Sequence, residues 1–393
     1  MIKTLTAYTY EVDDPKIAIA EILEQLQWEK NQRKNTVGII HCSTDFLESG
    51  VVAAICYQLP FRTIGVTTLG FAFHDEVSEM ALTVMVLTSD DVSFSIGLTE
   101  PINTPDEDIL RRAYEKAAKK LPGDPALMIS YFPLETAKAG AGGDFVIRSM
   151  YNIAPNVPVF GTMPIDNTHD FRDARILCDG NEYVDRFAFV LLQGENFRPR
   201  FYLGSVGKSR IREERAKVTK SEGNFLYSLN DTPILDYLKE TLKLPFDQTD
   251  PSSVHMIPLI VDLNDGMPPF TRAMNSFTPE NVAICSAEIP VGATIAVGRF
   301  GTGIILEETK DILSRILAKE AEAEGLLIYS CAARYWALGL DSLVEMELVR
   351  DILESSPIPY SLGYSCGELC PVQDETGGFA NRLHNYTFIV CVW

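Results

Sequence analysis

Two oppositely charged side chains in the last sixth of the chain are the candidate chemical groups of this sequence. Arg334 follows a buried, strand-like run that ends at Ser330 and Cys331, and Glu368 lies in a glycine-bounded loop further along. A guanidinium can grip a carboxylate through two parallel hydrogen bonds, and a carboxylate accepts hydrogen bonds from an ammonium. The pair would together hold an amino-acid zwitterion. An internal Arg334–Glu368 salt bridge explains the same two residues equally well.

Small and aromatic residues around these charges suit a binding pocket. Gly367 lets the backbone approach a ligand closely, and Tyr364 and Trp336 supply an amphipathic wall. His384 and Asn385 are expected to contribute mainly by bracing the loop that carries Glu368. The predicted ligand-binding residues are Ser330, Cys331, Arg334, Trp336, Tyr364, Gly367, Glu368, His384 and Asn385.

Catalytic and metal-binding interpretations of this region have less support. Cys331 stands at the end of a strand and could act as a nucleophile with His384, but a small pocket-wall residue is the favoured interpretation. Cys366 and Cys370 are spaced one residue wider than the commonest zinc knuckle, and no second pair follows. No nucleophile elbow or zinc-protease motif occurs in a proper context. We therefore predict a binding protein with no metal and no catalytic residues.

An internal repeat organises the elements that must position these groups. Residues 91–194 resemble residues 293–393, and five matching elements keep an offset of about 200 residues. Each copy reads as strand, helix, buried strand, helix and a strand ending in glycine. A shorter third copy begins with the strand Val37–Ile40. The pattern predicts an α/β fold of layered mixed sheets, with a duplicated α/β unit in the amino- and carboxyl-terminal halves.

Local signals place helices and a boundary within this repeat. Thr104-Pro105-Asp106-Glu107 reads as a capping box with proline at the first helical position, which predicts a helix over roughly 105–120. A charged stretch at 207–225 is the best candidate boundary between the halves. We therefore divide the chain into domains at 1–206 and 207–393.

Composition excludes several classes of protein. The chain has 393 residues and a formal charge of -20, with 54 acidic against 34 basic residues. Such a charge repels nucleic acid and anionic membrane surfaces. The sequence shows no signal peptide and no apolar run long enough to span a bilayer. Its eight cysteines lie mostly in apolar runs, as expected of buried thiols in a reducing cytoplasm.

Three motifs in the carboxyl-terminal half resemble the FIST C domain. Residues 328–339 resemble its "SCxARxxxLG" stretch, residues 363–371 its "GFYxxGEIxP" loop, and residues 384–387 its "HNxT" element. Leu369 and Cys370 within the second motif depart from the family pattern. Residues 37–43 and 64–70 are similar, more loosely, to the FIST N domain. The resemblance covers nearly the whole chain, with 1–206 as the FIST N-like and 207–393 as the FIST C-like domain.

The resemblance implies a sensory module for small ligands, with amino acids among the candidates, in bacterial signal transduction. No kinase or cyclase segment accompanies these domains, so the output would pass through a separate signalling protein. Some family members bind haem and report nitric oxide, which makes a haem-binding sensor the first alternative. A cysteine-dependent enzyme is the second alternative.

Overall fold

The computed structural model describes residues 1–134, 142–168, 171–243, 254 and 257–393. Among these residues, each helix is too short or too polar to cross a lipid bilayer. The α-helices are α1 (Pro15–Leu26), α2 (Trp28–Asn31), α3 (Asp45–Glu48), α4 (Val51–Gln58), α5 (Glu107–Ala118), α6 (Gly143–Ile153), α7 (Ile234–Asp236), α8 (Thr302–Lys319), α9 (Ala332–Leu338) and α10 (Val344–Leu353). A π-helical turn spans Tyr237–Thr241, and 3₁₀ turns span Lys208–Arg210 and Gly339–Asp341.

The strands alternate with these helices, as the mixed α/β prediction requires. The first thirteen are β1 (Ile2–Thr9), β2 (Asn35–Cys42), β3 (Thr63–Thr67), β4 (Leu69–Phe73), β5 (Glu76–Ser78), β6 (Leu82–Ser89), β7 (Ser93–Leu98), β8 (Leu127–Tyr131), β9 (Val159–Thr162), β10 (Ile176–Cys178), β11 (Asn181–Tyr183), β12 (Ala188–Gln193) and β13 (Arg200–Gly204). The others are β14 (Ala216–Glu222), β15 (Phe225–Leu229), β16 (Thr232–Pro233), β17 (Leu259–Asp262), β18 (Phe270–Arg272), β19 (Met274–Phe277), β20 (Ala283–Cys285), β21 (Thr294–Val297), β22 (Leu326–Cys331), β23 (Tyr360–Ser365), β24 (Glu368–Gln373), β25 (Phe379–His384) and β26 (Phe388–Val392).

Three six-stranded sheets share one strand order. Sheet 1 runs β1-β6-β2-β3-β10-β11, sheet 2 runs β7-β12-β8-β9-β24-β25, and sheet 3 runs β13-β26-β22-β23-β4-β5. In each sheet the third and fourth strands are parallel and the other neighbours are antiparallel. The first four strands of each sheet, with their helices, are named unit 1, unit 2 and unit 3. The predicted duplication is confirmed, and the third copy is a complete unit. The predicted first strand of the second copy is wrong, because β21 lies in another sheet and β13 holds the place of β7 in unit 3.

The last two strands of each sheet come from a different unit. The β4–β5 hairpin leaves unit 1 and pairs with β23 in sheet 3, and the β10–β11 hairpin leaves unit 2 and pairs with β3 in sheet 1. The β24–β25 hairpin leaves unit 3 and pairs with β9 in sheet 2. The three units therefore exchange hairpins in a closed cycle, and each exchange satisfies an otherwise open sheet edge.

The two faces of each sheet pack into different cores. Inward-facing residues of all three sheets, such as Ile39, Ile129 and Tyr329, form one shared core. Outward-facing residues pack beneath the helices of their own unit: α1 and α4 on sheet 1, α5 and α6 on sheet 2, and α8 and α10 on sheet 3. Burial on both faces explains why the parallel strands read as continuous apolar runs.

A polar chain crosses the shared core and joins the three units. The imidazole of His41, from β2, bonds Ser361 Oγ through Nδ1 at 3.2 Å and Tyr329 Oη through Nε2 at 2.9 Å. Tyr329 Oη lies 2.7 Å from Tyr131 Oη, which comes from β8. Burial lowers the pKa of His41 to about 3, so the ring stays neutral within this chain of hydrogen bonds.

An inserted domain rich in β-strands separates β13 from α8, and it also contains α7 and the π-helical turn. Its eight strands, β14 to β21, form one sheet in the order β18-β17-β21-β14-β15-β20-β19, with β16 on β15, and they have a core of their own. The division of the chain at 206 and 207 stays a prediction. Sheets 2 and 3 each combine strands from both sides of that position.

The first predicted helix begins two residues later than expected. The helix α5 starts at Glu107, and the carboxylate of Asp106 accepts from Asp108 N as its N-cap. Pro105 therefore lies before the cap, and Thr104 does not cap the helix. An aspartate binds the free N–H groups of a first turn at least as well as threonine does.

We predict that Tyr329→Phe destabilises the protein more than Tyr131→Phe. The first change leaves both His41 Nε2 and Tyr131 Oη buried without their partner, whereas the second leaves Tyr329 still bonded to His41. A buried polar group without a partner costs about 1–3 kcal/mol. Urea unfolding of both variants measures the difference in the free energy of unfolding. Equal losses of stability would contradict the central place of Tyr329 in this series of hydrogen bonds.

Candidate functional site

Arg334 is held inside unit 3 by groups of its own chain. Its side chain is fully buried on α9, directly after β22. The guanidinium donates to Glu345 Oε1 from Nε at 3.1 Å and from Nη2 at 2.5 Å. Nη2 also donates to Thr309 Oγ1 at 2.7 Å and to Ile305 O at 3.1 Å, and Nη1 lies 3.5 Å from Tyr386 O. These internal acceptors engage all three guanidinium nitrogens.

Glu345, on α10, is the centre of this buried cluster. Its second oxygen, Oε2, accepts from Ser330 Oγ at 2.9 Å and from Tyr364 Oη at 2.6 Å. Burial alone would raise the pKa of Glu345, but the adjacent Arg334 and the hydrogen bonds outweigh burial and lower it. Ser330, Arg334 and Tyr364, three of the predicted ligand-binding residues, are thus brought together around a carboxylate that was not predicted.

An internal salt bridge between Arg334 and Glu368, one of the two interpretations left open, is wrong. Arg334 pairs with Glu345 at 2.5 Å, and both of those side chains are fully buried. The alternative, a shared grip on a zwitterion, loses its guanidinium for the same reason. A signal for the true partner existed in the sequence, since Glu345 lies four residues before Val349 on the buried face of α10.

Glu368 sits in a separate buried site at the start of β24. Its Oε2 accepts from Thr387 Oγ1 at 2.7 Å, and Oε1 accepts from Gly367 N at 3.1 Å and lies 3.4 Å from Ser365 Oγ. Burial raises the pKa of Glu368 to about 8, because its effect is larger than the opposite effect of these hydrogen bonds. The carboxyl group is therefore mainly protonated at neutral pH and is not a standing negative charge for an ammonium.

Two further predicted residues have different surroundings. Trp336 is 45% exposed and stacks on Phe171 with ring centroids 5.8 Å apart. Gly367 has a φ of 93°, and its carbonyl accepts from Thr162 Oγ1 at 2.9 Å. Residues with a Cβ rarely adopt so positive a φ, which favours glycine at this turn.

His384 and Asn385 anchor β25 to its neighbours. His384 donates from Nε2 to Cys370 O at 3.1 Å, which ties it to the strand that carries Glu368. Asn385 Oδ1 accepts from Ala273 N at 3.2 Å, and the side chain of Thr271 donates to Asn385 O. These two residues therefore connect the exchanged β24–β25 hairpin to the inserted domain.

The cysteines near Glu368 are poor nucleophiles. Burial, with a smaller contribution from Glu368, raises the pKa of Cys331 well above its ordinary value and raises that of Cys366 to about 12. Reactive thiolates need the opposite environment, with a lowered pKa. Among the described residues, no group of three or more side chains could hold a metal ion.

The described histidines do not fit an axial haem ligand. Both nitrogens of His41 are engaged in the shared core, and His74 Nε2 bonds Thr6 Oγ1 at 2.6 Å. His384 is buried, with Nε2 on Cys370 O and Nδ1 without a hydrogen-bond partner among the described residues. The two other histidines, His169 and His255, lie outside the described residues. An axial ligand needs a free ring nitrogen facing an apolar cleft, and His384, which is 1% exposed, does not face one.

A cleft of about 190 Å³ opens where unit 2, the exchanged β24–β25 hairpin and the inserted domain meet. It lies at the carboxyl ends of β8 and β9 and at the first turn of α6, the edge at which α/β sheets bind ligands. It is named the α6 cleft. Its lining residues are Gly142, Gly143, Asp144, Phe145, Met163, Gly223, Asn224, Ser286, Ala287, Glu288 and Leu383.

Two ion pairs cross the α6 cleft. The inner one joins Asp144 Oδ1 to the buried Arg272 at 2.7 Å, and Asp144 Oδ2 accepts from Glu288 N at 2.8 Å. The outer one joins Glu288 to Arg148 at 2.6 Å, with both side chains partly exposed. Burial raises the pKa of Asp144 despite Arg272, and burial lowers the pKa of Arg272. The cleft thus combines two carboxylates with apolar walls.

The sequence contained one signal for this cleft. Gly142 precedes and Gly143 begins a helix that follows a buried strand, a pattern typical of sites where backbone approaches a ligand. No local pattern indicated Glu288 or Leu383, because they reach the cleft from the inserted domain and from the exchanged hairpin.

We predict that Arg334→Met and Glu345→Gln each destabilise the protein strongly, and that the two changes together cost less than the sum of the single changes. Breaking a buried ion pair leaves an uncompensated charge and costs about 3–5 kcal/mol, and the double variant avoids this because both charges are gone. Chemical denaturation measures all three variants. Asp351→Asn, which breaks the exposed pair with Arg350, is the matched control and should cost less than about 1 kcal/mol.

We predict that Glu368→Gln gains stability relative to the native chain as the pH rises from 5 to 9. The folded carboxyl group titrates near 8 and the unfolded one near its ordinary value of about 4.3. Between these values the unfolded state binds fewer protons, so native stability falls with rising pH at up to about 1.4 kcal/mol per pH unit. Glutamine removes this slope, while the contributions of His41 and His384 cancel in the difference. A pH-independent difference would contradict a protonated Glu368.

Comparison with known proteins identifies the family. Residues 36–232 match the FIST N domain, and residues 235–371 match the FIST C domain. A comparison with curated proteins finds no match for this chain. The two matches follow the order of the motifs in the sequence, and the first alone spans half of the chain. This chain therefore belongs to the FIST family, whose domains are associated with small-ligand sensing in signal transduction rather than with catalysis.

Proposed function

We propose that this protein senses a small amphipathic metabolite that carries an ammonium group, with α-amino acids as the first candidates, and that the α6 cleft receives it. The observation that carries the proposal is the lining of that cleft. The carboxylates of Asp144 and Glu288 face the same space as the apolar side chains of Phe145, Met163 and Leu383.

Each part of an amino acid has a complementary group there. The ammonium pairs with Glu288, whose carboxylate is half-exposed, and with the inner carboxylate of Asp144. The carboxylate pairs with the guanidinium of Arg148 at the rim. An apolar side chain packs on Phe145 and Met163, so the site favours small to medium hydrophobic amino acids.

The position of the cleft suits a sensor. Arg272 donates to Glu288 O from Nε at 3.2 Å and to Leu383 O from Nη1, besides its ion pair with Asp144. One buried guanidinium thus connects α6, the inserted domain and the exchanged hairpin. A ligand that pairs with Glu288 or Asp144 competes with these contacts. It would therefore move α6, the inserted domain and the β24–β25 hairpin relative to one another.

The signal then passes to a separate partner protein in the cytoplasm. All eight cysteines are unpaired thiols, and seven of them are buried, which suits a reducing compartment. The net charge of -20 favours a partner protein over nucleic acid or an anionic membrane.

We predict that hydrophobic L-amino acids bind the native chain and that Ala287→Trp abolishes the binding by filling the cleft. Glu288→Gln should weaken it about 10-fold or more, since a hydrogen bond to a charged group is worth about 1.5–3 kcal/mol. Isothermal titration calorimetry against amino acids, their decarboxylated amines and their deaminated acids measures the affinity. The amines should bind more tightly than the deaminated acids.

Two variants control for general effects. Ala20→Trp places the same bulk on the exposed face of α1. Glu107→Gln removes a glutamate that, like Glu288, is paired with an arginine; here the arginine is Arg111 on the same helix, α5. Both should bind as the native chain does. The proposal fails if no compound of the three classes binds, or if Ala287→Trp and Ala20→Trp bind equally well.

A further inference from the structure

The strand β13 forms an open edge of sheet 3. Cys331 N donates to Thr387 O, so the odd-numbered residues along β26 bond β22 and the even-numbered ones bond β13. Tyr202 lies opposite an even-numbered residue, and the backbone N–H and C=O groups of its neighbours Phe201 and Leu203 therefore point away from the sheet. Within the described part of the chain, these outward groups have no hydrogen-bond partner.

Two other strand edges are protected by the chain itself. In sheet 1, the side chain of Gln25 accepts from Tyr8 N at 3.0 Å and donates to Tyr8 O at 2.7 Å, which satisfies the outward groups near the end of β1. In sheet 2, the last part of β24 extends beyond its pairing with β9, and Pro371 has no N–H to offer there. Proteins protect exposed strand edges in such ways because an unprotected edge pairs with other chains. Among the described residues, none covers the edge of β13 in either way.

The side chains of Phe201 and Leu203 are a second, independent observation. They face the shared core, where Phe201 stacks on Phe160 with ring centroids 6.1 Å apart, and yet both remain partly exposed. Tyr202 faces the other side of the sheet and donates its hydroxyl to Glu320, at the end of α8. The shared core is thus incompletely covered beside β13. A strand added there would bury these two apolar side chains as well as satisfy their backbone groups.

A groove of about 280 Å³ runs along this edge. Residues 201–203 of β13 form one wall, residues 371–373 of β24 form the other, and Arg315 of α8 completes the lining. The groove therefore leaves room for peptide at the place where the backbone of β13 is unpaired.

The charges near the groove favour acidic side chains in its occupant. Arg315 pairs with Asp311 at 3.2 Å but is 47% exposed. Arg198, two residues before β13, is exposed, bonds Phe197 O and forms no ion pair within the described chain. On a chain with a formal charge of -20, arginines that are free to pair again select carboxylates.

From these observations we infer that the edge of β13 binds an extended segment of a partner protein as an additional strand of sheet 3. Alternate side chains of a strand point to opposite faces. One set would pack on Phe201 and Leu203 at the shared core, and the other set would lie beside Arg315 on the α8 side. The partner segment therefore alternates apolar and acidic residues, and main-chain hydrogen bonds hold it. The groove shares no lining residue with the α6 cleft, so this inference does not rest on the proposed ligand.

The experiment titrates the native chain with the peptide acetyl-Val-Glu-Val-Glu-Val-Glu-amide by isothermal titration calorimetry. One peptide should bind per chain, and amide hydrogen exchange at Phe201 and Leu203 should slow on saturation. Two further peptides carry N-methyl groups on either the valine or the glutamate nitrogens. Binding should be lost for one of them and kept for the other, because only one edge of the peptide pairs with β13. A peptide with lysine in place of glutamate should bind more weakly.

Variants of the chain test the backbone and the charge separately. Leu203→Pro removes the outward N–H, a change that an edge strand tolerates, and it should weaken binding about tenfold or more. Leu203→Ile keeps that donor and should bind as the native chain does. Arg315→Glu should weaken binding of the glutamate peptide and strengthen that of the lysine peptide. Arg112→Glu, which changes another exposed arginine paired with a carboxylate, is the matched control and should alter neither.

Several results would overturn the inference. They are failure of the glutamate peptide to bind, equal binding of the two methylated peptides, equal binding by the Leu203→Pro and Leu203→Ile variants, and equal effects of Arg315→Glu and Arg112→Glu. Analytical ultracentrifugation covers the remaining case. A dimer of the native chain that Leu203→Pro dissociates would show that a second copy, and not a partner protein, occupies the edge.

Discussion

The open edge beside the second parallel strand of each unit constrains the whole structure. Unpaired backbone N–H and C=O groups on β3, β9 and β23 would be costly in a buried setting and prone to aggregation. Each unit covers the edge of another, and because the exchange closes as a cycle, no unit is left uncovered on that side. A unit expressed by itself would lack both its hairpin partner and the shared inner core, so the three units are expected to fold together.

Buried charge follows from the same packing. Arg334 and Glu345 are both fully buried between α8, α9 and β22, where each supplies the other's counter-charge and where Thr309, Ser330 and Tyr364 complete the hydrogen bonds. A cluster satisfied this completely favours a single arrangement of its helices. It also has no capacity for a guest, which separates the charged residues that hold unit 3 together from those that could receive a ligand.

The pseudo-symmetry of the three units makes their differences informative. The inserted domain follows β13 and approaches unit 2, so a cleft with acidic and apolar walls forms at the carboxyl edge of β8 and β9. The corresponding edge of unit 3 is filled by the Arg334 cluster. A single architecture thus yields an open cleft at the carboxyl edge of unit 2 and a filled one at the carboxyl edge of unit 3.

The sequence by itself determined the α/β class, the repeat and the family motifs, because periodic burial and short motifs are local properties of the chain. It also marked Arg334 and Glu368 as unusual, and both are fully buried. Only the tertiary structure decided their partners. Arg334 pairs with a residue 11 positions away, while Asp144 meets Glu288 across 144 positions. Periodicity identifies which face of an element is buried, but contacts between side chains depend on how separate elements pack, and here strand exchange between units sets that packing.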